Sequence, residues 1–178
     1  MKFQIVKVLS FLVILSLSFS CIDENEEYTK MLDKWKIENE NYFTNMKDST
    51  SFKIYNIPLE HGGGKYYYKI INKGDTTSVS PILTDLVTVN YRGMFIDGGV
   101  FDYTYNGTNP VNNPTAKPVE FTVNNLITGW SVNLTQMKSG EVRTIVLPYN
   151  LAYGVYGVGS ILPYSTLRFD IQLVSIKK

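Results

Sequence analysis

From Leu86 to Phe95 the sequence alternates. Val87, Val89 and Tyr91 fall on one side of an extended backbone, and Thr88, Asn90 and Arg92 on the other. Asp97-Gly98-Gly99 reads as a hairpin turn, and Val100 to Tyr103 as the returning strand. Val119, Phe121 and Val123 form another inward set, Val142 to Leu147 a further strand, and Leu167, Phe169, Ile171 and Leu173 the inner face of a last one. One stretch breaks the two-residue period: Trp130, Leu134 and Met137 are spaced for one face of a short helix, stopped by Ser139-Gly140. Many half-buried strands and one short helix leave few architectures. The expectation is an α+β domain, an antiparallel sheet curled over that helix.

Upstream, the signals are simpler. Phe52 to Ile57 reads as a strand ended by Pro58, and Lys65 to Asn72 as another. His61-Gly62-Gly63-Gly64 lies between them and lacks the Lys-Ser/Thr that a phosphate-binding loop needs. Glu24 to Lys47 reads as a helix, with Tyr28, Leu32, Trp35, Asn39, Tyr42 and Met46 recurring at spacings of four and three. This stripe packs either on its own domain or on a second copy, which would make a homodimer.

The first residues read as an export signal. Lys2 and Lys7 precede an apolar run from Val8 to Leu17, too short to span a bilayer comfortably. Cys21, the only cysteine, follows directly and cannot form an intrachain disulfide. Its place resembles the lipid-attachment site of bacterial lipoproteins; an ordinary cleaved signal with an incidental cysteine is the other reading. The acidic residues Asp23, Glu24, Glu26 and Glu27 make a solvated spacer or a surface-export signal.

Composition excludes much chemistry. One His and one Cys cannot build a His/Cys metal site. There is no nucleophile elbow and no pair of carboxylates in the core region. A net charge of +1 offers no case for nucleic acid. From residue 91 on, the segments dominated by Tyr, Phe and Trp carry almost no titratable partners, which favours an apolar aromatic pocket over acid–base work.

Five segments in order sharpen this: Tyr91-Arg92-Gly93, Phe101-Asp102, Gly129-Trp130, Leu147 to Gly154 (LPYNLAYG) and Thr166 to Asp170 (TLRFD). Together they resemble the FKBP-type peptidyl-prolyl cis-trans isomerases, over roughly Lys65 to Lys178. The resemblance implies an FKBP-like half-barrel, with a signal segment over 1–20, a tether, helix and linker over 21–64, and the isomerase domain over 65–178. It implies proline-containing polypeptides as substrates, no cofactor and no metal. Tyr91, Phe101 and Phe169 would be pocket walls, Trp130 the floor and Asp102 a polar group at the edge. The Ile127 N–H and the Tyr153 hydroxyl would meet substrate carbonyls. Val119, Leu126 and Ile161 would line the apolar rim, while Phe121 is expected in the core alone.

There are departures. Val119 stands where the family usually has an aromatic wall, and the loop from Tyr103 to Ala116 holds no Arg or Lys to partner Asp102. The expected function is prolyl isomerisation in a bacterial envelope, with lipid anchoring that favours the outer membrane. A catalytically weak binding module, or a chaperone holding proline-containing segments, is the alternative. The N-terminal helix lies outside every motif and is expected to serve large clients rather than the chemistry.

Overall fold

The computed structural model describes residues 24–177. The signal segment and Cys21 lie outside them. Helix α1 runs Glu24–Asn45. Seven strands follow: β1 Lys53–Asn56, β2 Lys65–Lys73, β3 Leu86–Met94, β4 Val100–Tyr103, β5 Val119–Thr122, β6 Glu141–Leu147 and β7 Leu167–Lys177. Helix α2, Thr128–Leu134, lies between β5 and β6. The strands form one antiparallel sheet in the order β1-β2-β6-β7-β3-β4, and β5 also pairs with β3.

The alternation expected from the sequence sets the two faces. In register, Val89 faces Leu173, Gly93 faces Phe169, and Phe169 faces Ile145. Val87, Val89, Ile145, Leu147, Leu167, Phe169, Ile171 and Leu173 are all buried on the inner face. Helix α2 covers them with Trp130 and Leu134, and Met137 in the following turn joins the same cluster. Gly129 permits this contact, because a Cβ there would meet the Leu147 side chain at 2.5 Å. The helix is shorter than the spacing implied: it ends at Leu134 with Thr135 as its cap, and Gly140, at φ 78°, turns the chain into β6 instead.

The sheet begins before the boundary expected at Lys65. β1 pairs with β2 from Lys53↔Tyr68 to Asn56↔Lys65. Ile57 and the Tyr55 ring both belong to the inner core. The glycine-rich turn is the loop between two paired strands, not a linker between units.

Helix α1 packs on the domain itself through Asn39, Trp35 and Phe43. Asn39 is fully buried. Its Oδ1 accepts the Thr166 N–H at 2.7 Å, and its backbone carbonyl accepts the Thr166 hydroxyl at 3.0 Å. Phe43 stands edge-on to Tyr67, centroids 5.0 Å apart. Tyr67 points away from the inner core, so α1 lies on the outer side of the sheet near the start of β7. Tyr28, at the free end of the stripe, is exposed. Among the described residues no helix is long and apolar enough to cross a membrane.

Candidate active site

The inner face opens at one end into a cavity of about 320 Å³. Trp130 forms its floor. Tyr91, Phe169 and Phe121 all meet the indole edge to face: centroids lie at 5.2, 5.3 and 6.4 Å, with interplanar angles of 85, 88 and 84°. Phe101 closes the wall against Phe169 at 5.8 Å and 90°. Edge-to-face contacts are the favourable geometry for aromatic quadrupoles. Perpendicular walls also leave a slot above the indole instead of a filled stack.

Local sequence explains the walls. Tyr91 and Gly93 are two apart on β3 and share its inner face. Gly93 is required there, since a Cβ would lie 2.5 Å from the Phe101 ring and 3.0 Å from Phe169. The hairpin after β3 returns Phe101 on β4, with Gly93 paired to Asp102. Trp130 is set by α2, whose first turn is closed by the Trp130 N–H on the Ile127 carbonyl at 2.9 Å. The Ser131 hydroxyl ties α2 back to the Val123 carbonyl at 2.7 Å.

Polar groups are few. The Tyr91 hydroxyl donates to Asp102 Oδ2 at 2.5 Å. This phenol takes the place of the basic partner that the loop lacks. Burial, then the hydrogen bond and the negative charge of Asp102, raise the Tyr91 pKa well above its ordinary value. The Tyr153 hydroxyl is also pushed up, by burial and by Asp102. Both phenols therefore stay protonated and able to donate at neutral pH. The Ile127 N–H has no acceptor among the described residues, and the Trp130 indole N–H is buried without one. No cluster of His, Cys, Asp or Glu suited to a metal occurs among the described residues.

Tyr91, Phe101, Asp102, Leu126, Ile127, Trp130, Tyr153 and Phe169 thus come together around one cavity. Val119 does not join them. It lines an adjoining, more polar groove that shares Tyr91 and Asp102. Ile161 is also elsewhere: it is buried in the core, and its backbone pairs with Val158. Phe121, expected in the core alone, supplies the wall instead, and Asn125 adds to the rim. The strand period puts Val119 and Phe121 on one face, but only the position along β5 decides which side chain reaches Trp130. The one available signal was that Phe121 is the only ring on that face.

A larger hollow, about 710 Å³, lies beyond Leu126 between Pro81, Leu83 and the outer side of α2. Its lining holds the single phenol Tyr55 and no indole or phenyl ring. A flat, apolar five-membered ring fits the aromatic slot better.

Comparison with known proteins agrees. Residues 78–174, more than half of the chain, match the family model described as FKBP-type peptidyl-prolyl cis-trans isomerase. The chain is 40% identical over 112 residues to the peptidyl-prolyl cis-trans isomerase Mip of Coxiella burnetii, a match covering 62% of this chain and 44% of that protein. It is 40% identical over 110 residues to the FKBP-type 22 kDa isomerase of Escherichia coli, covering 61% of this chain and 48% of that one. The chain therefore spans less than half the length of these curated relatives. The crystal structure of FkpA from Escherichia coli superposes with a TM-score of 0.69 at 29% identity, over 86% of this chain and 64% of that one. Sheet, slot and matched residues lead to one assignment: the chain belongs to the FKBP-type peptidyl-prolyl cis-trans isomerase family.

Proposed function

We propose that this protein catalyses cis-trans isomerisation of X-Pro bonds in polypeptides of the bacterial envelope. The observation that carries this is the slot over Trp130, walled by perpendicular rings, with the Ile127 N–H and the Tyr153 hydroxyl at its rim.

The barrier to rotation is ~18–20 kcal/mol, because resonance gives the C–N bond double-bond character. In the twisted transition state that resonance is lost, and the carbonyl is less polar than in the planar amide. An apolar slot therefore disfavours the planar ground state relative to the twisted one. The pyrrolidine ring sits on Trp130 between Tyr91, Phe101, Phe121 and Phe169. The Ile127 N–H and the Tyr153 hydroxyl hold carbonyls on either side. Asp102 fixes the Tyr91 hydroxyl, so that this wall does not rotate. Each ~1.4 kcal/mol of preference for the twisted amide accelerates rotation tenfold. X-Pro bonds suit such a site because cis and trans differ by only ~0.5–1 kcal/mol, so both isomers are bound as substrates. No side chain needs to gain or lose a proton.

The site residues, the start of the domain ahead of Lys53 and an anchor at Cys21 belong to the same proposal. An acyl-modified Cys21, three residues ahead of the acidic first turn of α1, would place the domain at the membrane surface, facing exported chains. Stable attachment takes two signals, since one acyl chain gives only marginal binding. Cys21→Ser is expected to move the protein to the soluble fraction or leave it unprocessed, as read by fractionation; unchanged membrane attachment would exclude lipidation. The catalytic reading is tested by turnover of a short X-Pro peptide. A well-folded chain with no rate above background would make it a binding module.

A further inference from the structure

Helix α1 lies outside the residues that match the family model, yet it reaches the aromatic slot from behind by separate routes. The first is a line of rings. Trp35 stands edge-on to Phe95, centroids 6.3 Å apart. Phe95 lies 5.0 Å from Phe101, Phe101 5.8 Å from Phe169, and Phe169 5.3 Å from the floor, Trp130. A second route runs through the start of β7. Asn39 holds both the N–H and the hydroxyl of Thr166, and the Trp35 indole N–H donates to Ser165 Oγ at 3.2 Å. Thr166 directly precedes the strand that carries Phe169.

A third route reaches the rim loop. Lys36 Nζ lies 4.6 Å from the centre of the Tyr164 ring. The Tyr164 N–H donates to the Gly154 carbonyl at 3.1 Å, next to Tyr153. Tyr164 has φ 62°, a left-handed conformation that a bulky residue adopts only when its surroundings impose it. Lys36 and the Tyr149 ring, 5.2 Å away, both pack on its side chain.

We infer that α1 is a positioning element of the active site: Trp35, Lys36 and Asn39 hold the Phe101–Phe169 wall and the Tyr153 loop where isomerisation needs them. None of them lines the slot. Their effect passes through Phe95, Thr166 and Tyr164. The inference rests on the isomerase reading, and it replaces the expectation that α1 stands apart from the chemistry. The physical ground is that a site works only when its supporting shell holds it to within a fraction of an ångström.

Turnover of a short X-Pro peptide is measured for the full chain and for Trp35→Ala, Trp35→Phe and Lys36→Ala, each at a temperature where its circular dichroism is native. Trp35→Ala is expected to lower kcat/KM about fivefold, as misplacement of a site by a remote change does. Trp35→Phe keeps a ring against Phe95 and should recover most of that loss. The chain has two tryptophans, so both substitutions leave Trp130 alone, and its emission reads the slot floor directly. A red shift in Trp35→Ala relative to Trp35→Phe is expected. A role confined to stability would lower the melting temperature of Trp35→Ala but leave folded-state kcat/KM and emission unchanged, and would overturn the inference. If Trp35→Ala does not fold, Lys36→Ala decides: a loss of about twofold or more sustains the inference, and wild-type turnover overturns it. An inactive wild-type chain would instead strike the isomerase reading, and the Trp130 emission would then decide the positioning role alone.

Discussion

The inner face of the sheet and the middle of its outer face, on β6 and β7, are both buried, but by different means. Most of the inner face is closed by apolar side chains, Val87, Val89, Ile145, Leu147, Ile171 and Leu173 beneath Leu134 and Met137, and the start of β6 adds a buried polar set, Arg143 on Glu141 and Asn133. On the outer face burial depends on particular polar pairs. Asp170 receives the Thr144 hydroxyl at 2.6 Å and the Arg92 guanidinium at 3.1 Å, and Asn39 ties α1 to Thr166. Hydrophobic burial is non-directional and scales with area. A buried hydrogen bond needs its own partner, and losing one strands the other at a cost of ~1–3 kcal/mol. The apolar part of the inner face should therefore tolerate other apolar residues of the right size, and the polar pairs of the outer face only the right residue. The slot lies where an inner wall is supported from the outer side.

The largest effect that tests this contrast is expected at Trp130. Trp130→Ala removes the floor shared by Tyr91, Phe121 and Phe169. It should cost ~3–5 kcal/mol in denaturant unfolding and abolish measurable turnover. Retained activity would place the reaction elsewhere, the hollow beyond Leu126 first.

Next come two swaps of similar volume, one on each face. Leu134→Met should cost under ~1.5 kcal/mol, because it conserves volume and apolarity. Asn39→Leu should cost ~1–3 kcal/mol, because the Thr166 N–H loses its acceptor in a buried site. Equal losses in chemical denaturation would break the distinction between the faces.

A smaller effect is expected at the rim. Tyr153→Phe deletes one hydroxyl worth ~0.5–1.5 kcal/mol, so kcat/KM on a short peptide should fall roughly two- to tenfold with stability nearly unchanged. If both Tyr153→Phe and Asp102→Asn left turnover at the wild-type value, the proposed rim roles would be wrong.

The smallest change should come from pH. Turnover should be flat from about pH 6 to 8, since no group in the mechanism titrates there. Stability, in contrast, should fall in alkali. Burial raises the pKa of Tyr66, Tyr91 and Tyr105, the last to about 12, above an ordinary value of 10.0. Above pH 10 the unfolded chain releases these protons before the folded one, so the unfolding free energy decreases as pH rises towards the folded values. A bell-shaped activity profile near neutrality would require an acid or base that the slot does not contain.

Sequence alone determined what depends on local periodicity. The two-residue alternation along β3 and β7, the turn at Asp97-Gly98-Gly99 and the short helix around Trp130 were legible because backbone geometry fixes which side chains share a face. The ring-rich slot was legible only through the ordered motifs that resemble a known family; a hairpin and one helical turn then bring its Tyr91, Gly93, Phe101 and Trp130 together. What only the tertiary structure decided depends on position across the fold. Val119 and Phe121 share a face, and three-dimensional reach alone put Phe121 on Trp130. Asp102 found its partner in Tyr91, a phenol on the neighbouring strand. β1 joined the sheet across a glycine turn that read as a linker. The stripe of α1 announced a buried face and not what would bury it, because an amphipathic pattern encodes apolarity without an address. Asn39, a polar residue within that stripe, takes its meaning only from the Thr166 N–H and hydroxyl brought to it by folding.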